Sequence, residues 1–133
     1  MVRRFAACSC GQLRLSCEGE PVRISICHCL ACQRRTGAPF GAQARYPRDQ
    51  VRIEGASTVY ARVADSGNEV RFHFCPGCGS TVYWQLGTLP DYIAVALGMF
   101  ADPGFPAPKV SVWERSRHPW TERLADCPLE HSP

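Results

Sequence analysis

The chain has no apolar run approaching the roughly 18 to 20 residues that a membrane-spanning helix needs, so no membrane partner is expected. It also lacks an apolar stretch behind its two early arginines. Met1-Val2-Arg3-Arg4-Phe5-Ala6-Ala7 runs directly into Cys8-Ser9-Cys10-Gly11, which is not the make-up of a signal peptide. A cytoplasmic protein is the resulting expectation. An excess of charge of one sign is missing too: 15 basic side chains stand against 12 acidic ones, for a net charge of +3. The arginines are scattered and form no basic stripe, which argues against nucleic acid as a partner. No internal repeat, low-complexity block or linker interrupts the 133 residues, and 45% of them are apolar. One compact domain over residues 1–133 with a single modest core is expected.

Cysteine is what the chain has in quantity, with nine in all. In a secreted domain nine cysteines would suggest disulfides; in a cytosolic one they suggest metal or redox chemistry. The odd count and the tight spacings both weigh against a disulfide framework. Cys8 and Cys10, or Cys27 and Cys29, are poorly placed to bridge each other, yet each pair can face one metal ion.

Around the cysteines the pattern reads mainly β. Leu13, Leu15 and Cys17 alternate with polar residues, and Val22, Ile24 and Ile26 do the same before running into Cys27. Val51–Ile53 and Thr58–Tyr60 read as short strands separated by Glu54-Gly55-Ala56-Ser57 as a turn. Val70, Phe72 and Phe74 alternate and deliver the chain into Cys75, and Thr81–Trp84 and Tyr92–Leu97 complete the central strands. Leu30–Thr36 alone looks helical, with Gly37 and Pro39 to stop it. Asp102–Pro108, with three prolines and a glycine, reads as loop, and a last strand is expected near Val110–Trp113.

Seven of the nine cysteines fall into three clusters: Cys8-Ser9-Cys10-Gly11, Cys27-His28-Cys29-Leu30-Ala31-Cys32 and Cys75-Pro76-Gly77-Cys78-Gly79. The third has the form of a zinc knuckle, in which two thiolates of a C-x-x-C turn converge on one ion and Gly77 and Gly79 take positive φ. A redox C-x-x-C usually opens a helix in a βαβ unit, whereas this one lies between strands. A closed structural site needs four ligands. Cys75 and Cys78 could find their partners in Cys29 and Cys32, or in Cys8 and Cys10. The second choice leaves Cys27, Cys29 and Cys32 as a three-thiolate set, the layout of a zinc site with an open position. Spacing does not choose between them, and thiolate softness suits iron as well as zinc.

Taken together, Cys-x-Cys-Gly, Cys-His-Cys-x-x-Cys followed by Arg-Thr-Gly-Ala, Phe-Cys-x-x-Cys-Gly-Ser and a late tryptophan resemble the glutathione-dependent formaldehyde-activating enzyme family, over about Cys8 to Trp120. The resemblance implies a small zinc-bound β-tent of short antiparallel sheets with one short helix. It implies two zinc ions, a structural one on Cys8, Cys10, Cys75 and Cys78 and a second on Cys27, Cys29 and Cys32 with a free position. It implies a carbon–sulfur lyase-type activity on a thiol–aldehyde adduct, as when glutathione and formaldehyde give S-hydroxymethylglutathione, with Cys27, Cys29 and Cys32 as the catalytic set. Its partner would be a small-molecule thiol such as glutathione. The alternatives are a non-catalytic zinc-binding module and a glutathione carrier.

A free thiol with pKa near 8.5 is only a few per cent thiolate at neutral pH, so a cation that stabilises the anion has chemistry to contribute. Arg34 and Arg35 follow Cys32 on the expected helix and could offset the charge of three thiolates or bind a substrate carboxylate; otherwise they form a solvated face. His28 is expected to point away from the metal and His73 to lie on a polar strand face, while His118 and His131 sit in polar sequence. Cys17 reads as a core thiol and Cys127 as an exposed one. Trp84, Trp113 and Trp120 read as core or pocket wall, the last two with a possible substrate role. Thr36–Phe40 is expected to form the rim of the open site, with Phe40 against it.

Overall fold

Alternation of apolar and polar residues, which makes strands of this sequence, also sorts them into two sheets. In the computed structural model, which describes residues 1–133, the elements are β1 (Arg3–Ala7), β2 (Arg14–Glu18), β3 (Arg23–Cys27), α1 (Leu30–Thr36), β4 (Gly41–Pro47), β5 (Val51–Glu54), β6 (Thr58–Val63), β7 (Glu69–Phe74), β8 (Thr81–Leu86), β9 (Tyr92–Ala96) and β10 (Val110–Val112), with four short 3₁₀ segments. The small sheet has the order β1-β2-β5 and the large one β10-β3-β4-β9-β8-β7-β6. No helix is long and apolar enough to cross a membrane.

The two faces of the large sheet have different fates. Ile24, Ala44, Tyr46, Tyr83, Ile93 and Val95 turn one way and pack with Ala6, Leu13, Leu15 and Cys17 of the small sheet in the principal core. The other face carries Val70, Phe72, Trp84, Ala94 and Ala96 as a second, smaller cluster. On that face β3 and β4 present Arg23, Ser25 and Cys27 opposite Arg45, Gln43 and Gly41.

Helix α1 starts where expected. Cys29 is its N-cap, its sulfur accepting from the Cys32 N–H at 3.3 Å, and Gly37 ends it at φ 67°, with its N–H donating to the Gln33 carbonyl.

The fold departs from expectation in three ways. The sheets are not wholly antiparallel, because β10 pairs with β3 in parallel. It arrives after the 97–109 connection, which is long enough to free it from the hairpin constraint that forces neighbours antiparallel. Two strands were not expected at all. β1 buries only Ala6, and β4 places Gly41, Ala44 and Tyr46 in the interior, so two of its three buried residues are too small to mark a hydrophobic period. The single helix is joined by 3₁₀ segments, including Leu97–Phe100, which cuts the expected Tyr92–Leu97 strand at Ala96.

Candidate functional site

Seven of the nine cysteines gather into two groups, within each of which the sulfurs all lie within 4.8 Å of one another. None of the nine is in a disulfide.

The first group joins the turn after β1 to the turn between β7 and β8. Cys8 and Cys10 sulfurs are 3.6 Å apart, as are those of Cys10 and Cys75. Around them the backbone turns its donors inward. Leu13 N–H reaches the Cys8 sulfur at 3.3 Å and Gly77 N–H the Cys75 sulfur at 3.3 Å, while the Gln12 side-chain amide donates to Cys75 at 3.0 Å. These contacts favour thiolate. Cys75 is held below the usual thiol range, first by the Gln12 amide, and Cys78 is brought down to about 5, first by its hydrogen bond with the Ser80 side chain. Cys10 moves up to about 11: the Gln12 backbone N–H lowers it, but hydrogen bonds with Cys8 and Cys75 outweigh that. Gly79 takes the expected positive φ at 80°, and Gly77 does not. Gly77 instead donates its N–H to sulfur, and a β-carbon there would sit 3.7 Å from the Cys75 sulfur and 3.9 Å from that of Cys10.

A tetrahedral ion with metal–sulfur bonds of 2.3 Å holds its sulfurs about 3.8 Å apart. The 3.6 Å separations, four thiols and inward-facing N–H groups therefore fit a closed thiolate site on Cys8, Cys10, Cys75 and Cys78.

The second group comes from one short segment. Cys27 ends β3, Cys29 caps α1 and Cys32 lies in its first turn; Cys27 and Cys32 are buried and Cys29 partly so. Cys32 is drawn down to about 5, first by hydrogen bonding with Cys27, then with Cys29 and by the charge of Arg35, against the opposing effect of burial; Cys27 is correspondingly raised. This donor set suits a soft metal with three protein ligands. The pairing of Cys75 and Cys78 with Cys29 and Cys32 does not occur.

These three cysteines open on a cavity of about 270 Å³ lined by both β3–β4 and β6–β8 and by Trp113. Arg35 enters it from α1. Its guanidinium carbon lies 4.2 Å from the Trp84 ring centre and 5.3 Å from that of Phe72, while Nε and Nη2 are buried without a hydrogen-bond partner. Gly41 leaves room for it, since a β-carbon there would fall 2.8 Å from Nη2.

The remaining expectations divide. Arg35 belongs to the site, whereas Arg34 is exposed on the outer side of α1. Trp113 lines the cavity in left-handed backbone at φ 56°, a strained conformation for a bulky residue, with Arg115 stacked on its ring at 4.7 Å. Trp120 is 44% exposed and does not line it.

The 37–39 segment forms a separate surface depression, and Phe40 packs on His28 at 5.7 Å rather than against the cavity. His28 does point away: it is buried, with Nε2 3.0 Å from the Ser111 hydroxyl of β10. His73 is half-buried rather than on a solvated face, stacked on Tyr83 at 4.3 Å and hydrogen-bonded to Ser57 at 2.9 Å. Cys127 is only partly exposed.

Sequence reading missed Arg23, Gln43, Arg45 and Arg62 on the cavity wall. Arg23 was legible, being four residues before Cys27 on one strand and so on its face. Gln43 and Arg45 were not, because β4 was not foreseen.

A family model for the glutathione-dependent formaldehyde-activating enzyme matches residues 3–116. The chain belongs to that family. As a member of the glutathione-dependent formaldehyde-activating family it is an enzyme of carbon–sulfur lyase type, of the kind exemplified by S-(hydroxymethyl)glutathione synthase. No curated protein matches the chain. The crystal structure of a Rhodobacter sphaeroides protein is similar at a TM-score of 0.59 and 20% identity, covering 80% of this chain and 97% of that one, a likeness of fold.

Proposed function

We propose that residues 1–133 form one zinc-bound β-tent domain, cytoplasmic, that joins a small thiol such as glutathione to formaldehyde, giving S-hydroxymethylglutathione. One zinc would be structural, on Cys8, Cys10, Cys75 and Cys78. A second would sit on Cys27, Cys29 and Cys32 with a position free. The observation that carries this reading is the asymmetry of the two groups: four gathered sulfurs in one, and three beside an arginine-lined cavity in the other.

Zinc held by the three cysteines would supply Lewis acidity and stabilise thiolate. In the reaction a carbon–sulfur bond forms, the carbonyl π bond breaks, and the thiol's proton ends on the former carbonyl oxygen. The chain's own part is to bind and orient. Arg35 places a cation beside Cys32, offsetting the negative charge of three thiolates. Phe72, Trp84 and Trp113 give the cavity apolar walls that limit water around the reacting atoms. Asp65 and Ser66, in the turn between β6 and β7, are the lining side chains that could take up or hand on the proton.

The test is zinc content per chain of anaerobically purified protein, compared with Cys29→Ser, alongside glutathione–formaldehyde turnover. Two zincs falling to one with the fold intact, and loss of turnover, is the expected result. One zinc in the parent, or collapse of the variant, would make Cys29 a structural ligand and favour a non-catalytic zinc module.

A further inference from the structure

The cavity holds more positive charge than the chemistry at sulfur uses. Arg23, Arg35, Arg45 and Arg62 line it, and Asp65 is the one carboxylate among the lining residues. None of the four arginines is in an ion pair, whereas Arg3, Arg4, Arg14, Arg52, Arg71, Arg117 and Arg123, elsewhere on the molecule, all pair with carboxylates. Outside the cavity Arg34, Arg48 and Arg115 alone among the arginines lack an ion pair, whereas inside it all four do.

Arg23 and Arg45 are the sharpest case. They are direct cross-strand partners in the β3–β4 register, an arrangement of like charges that destabilises a sheet. Both are half-buried, and Arg23 Nε is buried with no hydrogen-bond partner. Burial and then the neighbouring Arg23 charge lower the pKa of Arg45, so the pair is held together against its own electrostatics.

The pair also lies on a direct track from the cysteines. Cys27 faces Gly41, Ser25 faces Gln43 and Arg23 faces Arg45 in consecutive rungs of one sheet face. Four residues of strand separate the Cys27 and Arg23 backbones, about 13 Å. Gln43, midway, adds a neutral hydrogen-bonding side chain to the same wall.

We propose that Arg23 and Arg45 form an anion subsite at the end of the cavity remote from the three cysteines, selecting thiols that carry an oxyanion on the arm away from sulfur. This deepens the reading given above and rests on its assignment of the cavity to the substrate. Paired guanidinium forks match the planar oxygens of a carboxylate and equally those of a phosphate. The shared chemistry is an oxyanion tethered to a thiol, and a bound oxyanion would relieve the Arg23–Arg45 repulsion.

The experiment is calorimetric titration of the zinc-loaded protein and its Arg23→Gln and Arg45→Gln variants. The probes are S-methylglutathione, which carries carboxylates, its diethyl ester, and pantetheine 4′-phosphate, with the thermal midpoint of each ligand-free variant measured in parallel. S-methylglutathione should bind the parent at least tenfold more tightly than either variant, and the diethyl ester should show no such preference. Ligand-free variants should melt no lower than the parent, since a like-charge contact has been removed; a purely structural role would lower melting and affinity together. The same pattern with pantetheine 4′-phosphate instead would support the subsite and identify its anion as phosphate. The proposal is overturned if the parent binds neither anionic probe, or if both variants bind them as tightly as the parent does. Glutathione–formaldehyde turnover separates the two readings. Arginine-dependent binding without turnover in the parent sinks the lyase reading alone, and turnover with an unchanged glutathione KM in both variants sinks the subsite alone.

Discussion

Cys10 and Cys75, whose sulfurs are 3.6 Å apart, are separated by 65 residues of chain, whereas Cys27, Cys29 and Cys32 lie within one strand end and the first helical turn after it. The ligand atom is the same in both groups, but what each group closes is not. A metal across the four-cysteine group ties the small sheet's first turn to the β7–β8 turn, so the entropy of a long loop and the docking of two sheets depend on it. Metal at the three-cysteine group closes a segment that the Cys29 cap and the β3–β4 ladder already shape. On the proposed reading, position in the chain separates a site that would hold the fold from one free to serve chemistry.

The strongest way to break this comparison is to remove one ligand from each group. Cys75 is fully buried and receives three protein contacts at its sulfur, from Gln12, Gly77 and Cys10. Cys75→Ser should lose its cooperative thermal transition altogether, as followed by circular dichroism, while Cys29→Ser keeps one. If the two variants melt alike, the division into holding and working sites fails.

Metal release gives a second contrast without mutation. With three protein ligands and one face on an open cavity, the Cys27, Cys29 and Cys32 site should yield its metal to a colorimetric chelator at least about tenfold faster than the closed site does. A single-phase release of two equivalents would contradict this.

Gly41→Ala sharpens the comparison on the working side. A β-carbon would meet Arg35 Nη2 at 2.8 Å and Cys32 Cβ at 3.5 Å, and the guanidinium, being the end of a flexible side chain, is the group that gives way. Glutathione–formaldehyde kcat/KM should fall about tenfold, equivalent to about 1.4 kcal/mol of transition-state stabilisation, with zinc content still at the parent value. Loss of zinc from the variant would mean that Gly41 serves the ligands rather than Arg35.

How far the sequence could be read follows the same division. Val70–Phe74, with large apolar residues at alternate positions, declares itself by period, Tyr92–Ala96 by an unbroken apolar run, and the helix by its glycine stop. The membership of the cysteine groups was open on spacing, because which turns meet is decided by sheet docking and not by local sequence. β4 stayed hidden because its core face buries only Ala44 and Tyr46, and its other face, with Gly41, Gln43 and Arg45, turns toward the cavity. A strand that lines a polar cavity puts charge where a core strand would put leucine, so Arg45 offered no apolar period to announce the strand. Gln43 and Arg45, which depend on that strand, were therefore the wall residues hardest to foresee.

Cys17 supplies the smallest effect and a reference for both groups, since it is a thiol with burial and no partners. It lies in the core with 0% exposure beside Leu13 and Leu15, and burial pushes its pKa up to about 12. In the unfolded chain the same thiol ionises near its ordinary value, about 8.5. Between these limits the native state holds a proton that the unfolded state has released, so stability falls as pH rises, by up to about 1.4 kcal/mol per pH unit for this one group. The contribution is fully present below about pH 8.5 and is gone above the folded value. Tyr46 and Tyr83, both raised first by burial, add to the alkaline slope at higher pH. Cys17→Ala should cost about 1 kcal/mol at pH 7 for the small cavity it leaves, and should flatten the slope between pH 9 and 10, where tyrosines contribute least. Denaturant unfolding of metal-loaded protein at pH 7, 9 and 10 reads both effects. An unchanged slope would place the alkaline sensitivity in other groups whose ionisation burial raises, Tyr46 and Tyr83 first.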